Sequence, residues 1–136
     1  MGFTVWPVYE DGQTDSLDDE GKALLRAHEE LDAMARAAGR TPLSAFDAHS
    51  DVPEEVIARM AEEAQDLPDL SGFPVVWHDP ADAVATLDVL LSAIAATDLE
   101  TVGGEDPEWI AECLEAFREA LQEAVTRRTR FHFIVA

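Results

Sequence analysis

The densest group of potential metal ligands in the chain is Asp47-Ala48-His49-Ser50-Asp51. In an extended backbone alternate side chains point the same way. Asp47, His49 and Asp51 could then offer one imidazole and two carboxylates to a single divalent ion. The competing reading is a surface loop that ends in a helix cap, with Asp51 accepting the first amides of the next helix. No second His or Cys stands at ligand spacing, and the chain has no H-x-x-x-H pair.

His78 and Asp79, beside Trp77, fall at a strand-to-helix junction, where α/β folds often place active-site groups. Asp79 precedes Pro80 and is better explained as a helix N-cap. His78 then becomes a loop residue held by hydrogen bonds. His28 lies four residues after Leu24, at the edge of an apolar helical stripe, and is expected half-buried and satisfied. His132 alternates against Phe131 and Phe133 and is expected toward solvent. Cys113 sits on the apolar stripe of the last helix, where an inert structural thiol is the default.

Nucleophile and phosphate signatures are absent: no G-x-S-x-G, no Walker-type loop, no G-x-G-x-x-G. Gly103-Gly104 precedes a helix, but Glu105 and Asp106 would repel a phosphate. The pairs Glu29-Glu30, Glu54-Glu55 and Glu62-Glu63 diverge by about 100° on a helix and do not converge on a site. No cofactor is implied.

These side chains must be held by a fold of modest size. The chain has 136 residues, within the range of one domain. Apolar residues make up 47% of it, a globular composition. Phe3 to Tyr9 is aromatic and β-branched and reads as a strand, with Pro7 suited to an edge. Ser16-Leu17-Asp18-Asp19 resembles a capping box, with Asp in place of Glu. One long helix should follow to about Ala38, with Gly39 at C′. Leu17, Leu24, Leu31 and Ala38 form its apolar stripe.

Pro42 to Phe46 could make one helical turn that dips Leu43 and Phe46 into the core. A helix capped by Asp51 should run on with Val52, Val56, Met60 and Ala64 along one face. Pro74 to Trp77 reads as a short buried strand, followed by a helix from Pro80 to about Ala96. That helix is apolar over more than half its circumference and should be central. Asp106-Pro107 starts the last helix, and Arg130 to Ala136 alternates like a strand that ties the end of the chain into a sheet. The terminal strands share an aromatic character and are expected as neighbours. The expectation is one α+β domain over residues 1–136, with about four helices on a small sheet of about three short strands (β-α-α-β-α-α-β).

The charge balance is the outlier. Twenty-nine acidic groups face nine basic ones, for a formal net charge of −20. This works against nucleic acid as a partner, since binding to phosphate needs clustered Lys and Arg. It also disfavours an anionic membrane surface. Salt-adapted proteins carry such surfaces for solubility alone. One cysteine allows no internal disulfide, which fits a reducing compartment. The first residues lack a basic and apolar leader, no apolar run is long enough to span a membrane, and Trp6 breaks the myristoylation pattern. The expected location is cytoplasmic.

The leading expectation is a non-catalytic protein-binding module, an inhibitor or immunity-like protein that neutralises a basic partner such as a nuclease. Its interface would draw on Asp18, Asp19, Glu54, Glu55, Glu62, Glu63 and Trp109. One alternative is a small enzyme or divalent-metal binder built on His49 with Asp47 and Asp51, or on His78. Another is a homo-oligomer with a solubilising acidic exterior, joined through Trp109 or the strand from Arg130 to Ala136.

Overall fold

Five β-prone residues near each end of the chain pair with one another. Strand β1 (Val5–Tyr9) runs antiparallel to β2 (Phe131–Val135), with Val5 opposite Val135 and Tyr9 opposite Phe131. The structure, a computed structural model, describes residues 3–48, 55, 56, 58, 59, 62 and 75–135.

The ladder pattern accounts for Pro7. Glu10 N–H donates to the Arg130 carbonyl at 2.9 Å. By the two-residue alternation of an antiparallel pair, Val5, Pro7 and Tyr9 then turn their backbones away from β2. Pro7 has no N–H to offer on that outer edge, so no ladder bond is lost. Phe131 and Phe133 turn their backbones to the opposite side. There His78 N–H donates to the Phe131 carbonyl at 2.7 Å and Ala48 N–H donates to the Phe133 carbonyl at 3.1 Å. β2 is therefore central and β1 lies at an edge.

The expected strand at Pro74–Trp77 is corrected. Pro74 lies outside the described residues, and Val75 to Trp77 belong to no strand. The free edge of β2 is shared between two chain segments, which leaves isolated bridges at Asp47–Phe133 and His78–Phe131 instead of a continuous third strand. Among the described residues the sheet has two strands.

The expected helix from Leu17 to Ala38 is two helices, α1 (Asp18–Arg26) and α2 (His28–Ala37), separated at Ala27. Ala27 has φ −93° and ψ 5°, outside the helical well. The ring of His28 takes the Leu25 carbonyl, with Nδ1 at 2.7 Å. The turn at Gly103 presses on the same point: a Cβ there would lie 2.4 Å from the Ala27 Cα.

The expected cap at Ser16 is also corrected. The N-cap residue is Leu17, without a side-chain cap bond. Docking on β1 positions α1 instead. The Thr4 hydroxyl donates to the Asp18 carbonyl at 2.9 Å, and Gly21 meets β1 so closely that a Cβ would lie 2.1 Å from the Val5 carbonyl oxygen. Gly39, at φ 73°, ends α2 as expected. Its N–H donates to Arg36 O at 3.0 Å and the Arg40 N–H to Ala35 O at 2.9 Å, the paired bonds of a Schellman motif.

Leu43–Phe46 forms one 3₁₀ turn that buries Phe46. Of the helix expected after Asp51, residues 55, 56, 58, 59 and 62 are described, and all are helical. The two Asp-Pro starts behave as the sequence suggests. α3 (Pro80–Ala96) begins with Asp79 accepting the Ala81 N–H at 2.9 Å. α4 (Pro107–Arg127) begins with Asp106 accepting the Glu108 N–H at 3.0 Å. α3 and α4 share the largest contact between elements. Leu87 and Leu90 of α3, Ile110, Leu114 and Leu121 of α4 and Phe131 of β2 are completely buried, and Phe117 nearly so. The result is an α+β fold with four named helices beside the two-stranded sheet. No described helix is long and apolar enough to cross a membrane.

Candidate functional site

The groups proposed for metal chemistry are only partly visible. His49 and Asp51 lie outside the described residues. Asp47 is half-buried; its Oδ1 accepts the Ala48 N–H at 2.9 Å, and its carbonyl accepts from His78 Nε2 at 3.1 Å. Among the described residues no three His, Cys, Asp or Glu side chains converge to hold a metal ion.

His78 is a half-buried loop residue. Its backbone pairs with Phe131 and its ring stands edge-on to Phe46, with centroids 5.5 Å apart. Asp79 is committed to its cap. The expectation for His132 is corrected: it is 3% exposed. Trp77 stacks on its ring at 4.3 Å, and Nδ1 donates to the Val76 carbonyl at 3.2 Å. The segment before His78 folds over the back of the sheet, so alternation away from the core does not lead to solvent. His28 is corrected in the opposite sense. The break at Ala27 carries it off the apolar stripe, and it is exposed.

Cys113 is buried as expected. Burial pushes its thiol up to about 12, with added repulsion from the carboxylates of Glu20, Glu112 and Glu105. At neutral pH it is a protonated thiol and a poor nucleophile. At the end of β1, the Tyr9 hydroxyl donates to Asp15 while Arg127 sits over its ring, 4.8 Å from the centroid. Burial, then the bond to Asp15, raises the Tyr9 pKa above its ordinary value. Arg127 Nε also donates to Asp11 at 2.9 Å and holds that carboxyl below the usual carboxylate range. This group tethers the turn after β1 to the end of α4.

Concave features among the described residues include a hollow beside Thr4, Trp6, Asp15 and Leu17 and two more apolar ones. One is a cavity of about 270 Å³ behind β1 and β2. Leu24, Leu31, Phe117 and Phe133 form its apolar wall, and Asp32, Asp47, Ser44 and His28 supply its polar groups. The other is an open groove between α3 and α4. Its apolar floor comes from Leu91, Ile94, Ala95, Pro107 and Ala111, and Glu108 and Glu115 stand on its edge.

That edge belongs to a longer feature the sequence reading missed. Glu108, Glu112, Glu115, Glu119 and Glu123 are all exposed and recur at helical spacing along α4. At about 100° per residue they fall within an arc of about 80°, opposite the buried stripe, and span about 22 Å. The signal was present as steps of four, three, four and four residues. None of the five carboxylates takes part in an ion pair among the described residues. Of the acids expected at an interface, Asp18 and Asp19 are exposed in the first turn of α1, and Glu55 and Glu62 are exposed; Glu54 and Glu63 lie outside the described residues. Trp109 is half-buried and packs partly against the core.

Comparison with protein-family models, with curated proteins and with solved structures gave no match.

Proposed function

We propose that the protein is a non-catalytic, cytoplasmic binding module that neutralises a basic protein partner, as an inhibitor or immunity-type protein does. The observation that carries this reading is the acidic stripe on α4 beside the apolar groove between α3 and α4. A basic amphipathic segment of the partner would lay its apolar residues on Leu91, Ile94 and Ala111. Its cations would meet Glu108, Glu112, Glu115 and Glu119. The uncompensated charge would also steer encounter and make association salt-dependent. Nucleic acid and anionic membranes carry the wrong sign for this surface.

A cationic Leu/Lys amphipathic helix peptide tests the site without the natural partner. Titrated at low salt, it should shift the NMR signals of Leu91, Ile94 and Ala111, and rising salt should reverse the shifts. Shifts confined to other surfaces, or no binding at low salt, would contradict the reading. A second copy of the chain as the true occupant would appear instead as a concentration-dependent mass in light scattering.

A further inference from the structure

The cavity behind β1 and β2 is chemically unbalanced. Among the described residues its polar groups are two carboxyls, one imidazole and one serine, and no Lys or Arg lines it. Asp32 is the critical member. It is 4% exposed, yet among the described residues its one side-chain hydrogen bond is a long one, from the Ser44 N–H to Oδ1 at 3.4 Å. That exceeds the ordinary range for such bonds. No cation lies within ion-pair distance among the described residues. A buried carboxylate without a partner is costly, so native proteins rarely retain one without a use.

The rest of the cavity suggests what completes it. The exposed residues His28, Ser44 and Val135 mark its mouth, and buried Leu24, Leu31 and Phe117 form its depth. His28 Nδ1 donates to the Leu25 carbonyl, which fixes the ring at the cavity mouth. Asp32, Asp47 and Ser44 can each accept a hydrogen bond, and among the described residues no lining side chain carries a fixed positive charge. The volume corresponds to about nine water-sized units.

We propose that this cavity is a binding site for a small organic ammonium ion with an apolar tail. The ammonium pairs with Asp32, and the tail lies against Leu24, Leu31 and Phe117. This site is separate from the α3–α4 groove and does not depend on it.

Hexylammonium, 1-hexanol and hexanoate share a tail and differ in head group, and so test the idea directly. Binding is followed by the methyl NMR signals of Leu24, Leu31 and Leu43 at high ionic strength, where the exposed carboxylates are screened. Hexylammonium should bind about tenfold or more tightly than 1-hexanol, as a charge-assisted hydrogen bond would give. Hexanoate should not bind. Asp32→Asn should erase the preference for the ammonium while leaving 1-hexanol unaffected. Equal binding of hexylammonium and 1-hexanol by the unaltered protein would overturn the proposal, and that comparison needs no variant. Persistence of the preference in Asp32→Asn would overturn it as well, as would hexylammonium shifts confined to the outer face of α4.

Discussion

The α3–α4 half and the α1–α2 half of the molecule are built on different terms. Both long helices of the first are announced locally: an Asp cap, a Pro at the first position and an unbroken apolar stripe. The helices of the second have no side-chain cap at either start and are divided at Ala27. What holds them is close approach. Gly21 admits β1, and Gly103 admits the Val102–Glu105 turn against Ala27. The Gly103 N–H donates to Glu30, and Arg26 pairs with Glu105. The capped half presents a continuous charged face. The divided half curves around a cavity and sets His28 at its mouth.

The difference can be broken first at the glycines. In an ordinary helix interior Gly→Ala would stabilise by about 1 kcal/mol. Here Gly21→Ala should destabilise by about 2–3 kcal/mol, because the new methyl meets β1 backbone. Gly103→Ala should cost about 2–4 kcal/mol, combining left-handed strain with overpacking at Ala27. Urea unfolding measures both. A neutral or stabilising result at either position would remove the close-approach account of the α1–α2 half.

The capped half should respond more mildly. Asp79→Ala and Asp106→Ala should each lose about 1 kcal/mol. Ser16→Ala, at the position that looks like a cap and is not one, should change stability by no more than about 0.5 kcal/mol. Arg128 closes α4 at φ 58°, where glycine is the relaxed choice. Arg128→Gly should stabilise by about 1 kcal/mol.

Titration sharpens the comparison further. The Cys113 thiol is raised from 9.0 to about 12 in the fold. A raised folded value means its contribution is fully present below the unfolded thiol's pKa and is lost as pH rises through that window. Stability should therefore decline between roughly pH 9 and 12, and a thiol reagent at pH 8 should label Cys113 only after unfolding. The smallest effect belongs to the exposed Asp11–Arg127 pair. Asp11 should titrate below its ordinary value of 3.8, and Arg127→Ala should move it back toward that value, with the Gln13 N–H still holding it down in part, as carboxyl NMR would show. The sign is that of a lowered acid: the pair helps above the unfolded pKa and stops helping as pH falls through the folded one.

These contrasts also mark what the sequence could disclose. α3, α4, the 3₁₀ turn at Leu43 and the pairing of the two terminal strands follow from local composition, periodicity and cap residues. The division at Ala27 does not, because its causes include a turn some 76 residues later in the chain, at Gly103. His132 reads as solvent-facing by alternation, and only the return of Trp77 across the sheet buries it. Asp32 follows Leu31 at the edge of a stripe. Its burial depends on the arrival of the 3₁₀ turn, whose Ser44 N–H reaches it. The acidic stripe of α4 was legible in full from its spacing. Adjacent glutamates diverge on a helix, whereas residues three and four apart share a face.

The most direct test of the proposed function compares the protein with a variant carrying Glu108→Gln, Glu112→Gln, Glu115→Gln, Glu119→Gln and Glu123→Gln in affinity capture from a lysate of the source cells. The unaltered protein should retain one basic protein in near-equal amount, released by a salt gradient and identified by mass spectrometry, and the variant should lose it. An empty eluate from the unaltered protein, or equal retention by the variant, would contradict the assignment of α4 as the face that meets a basic partner.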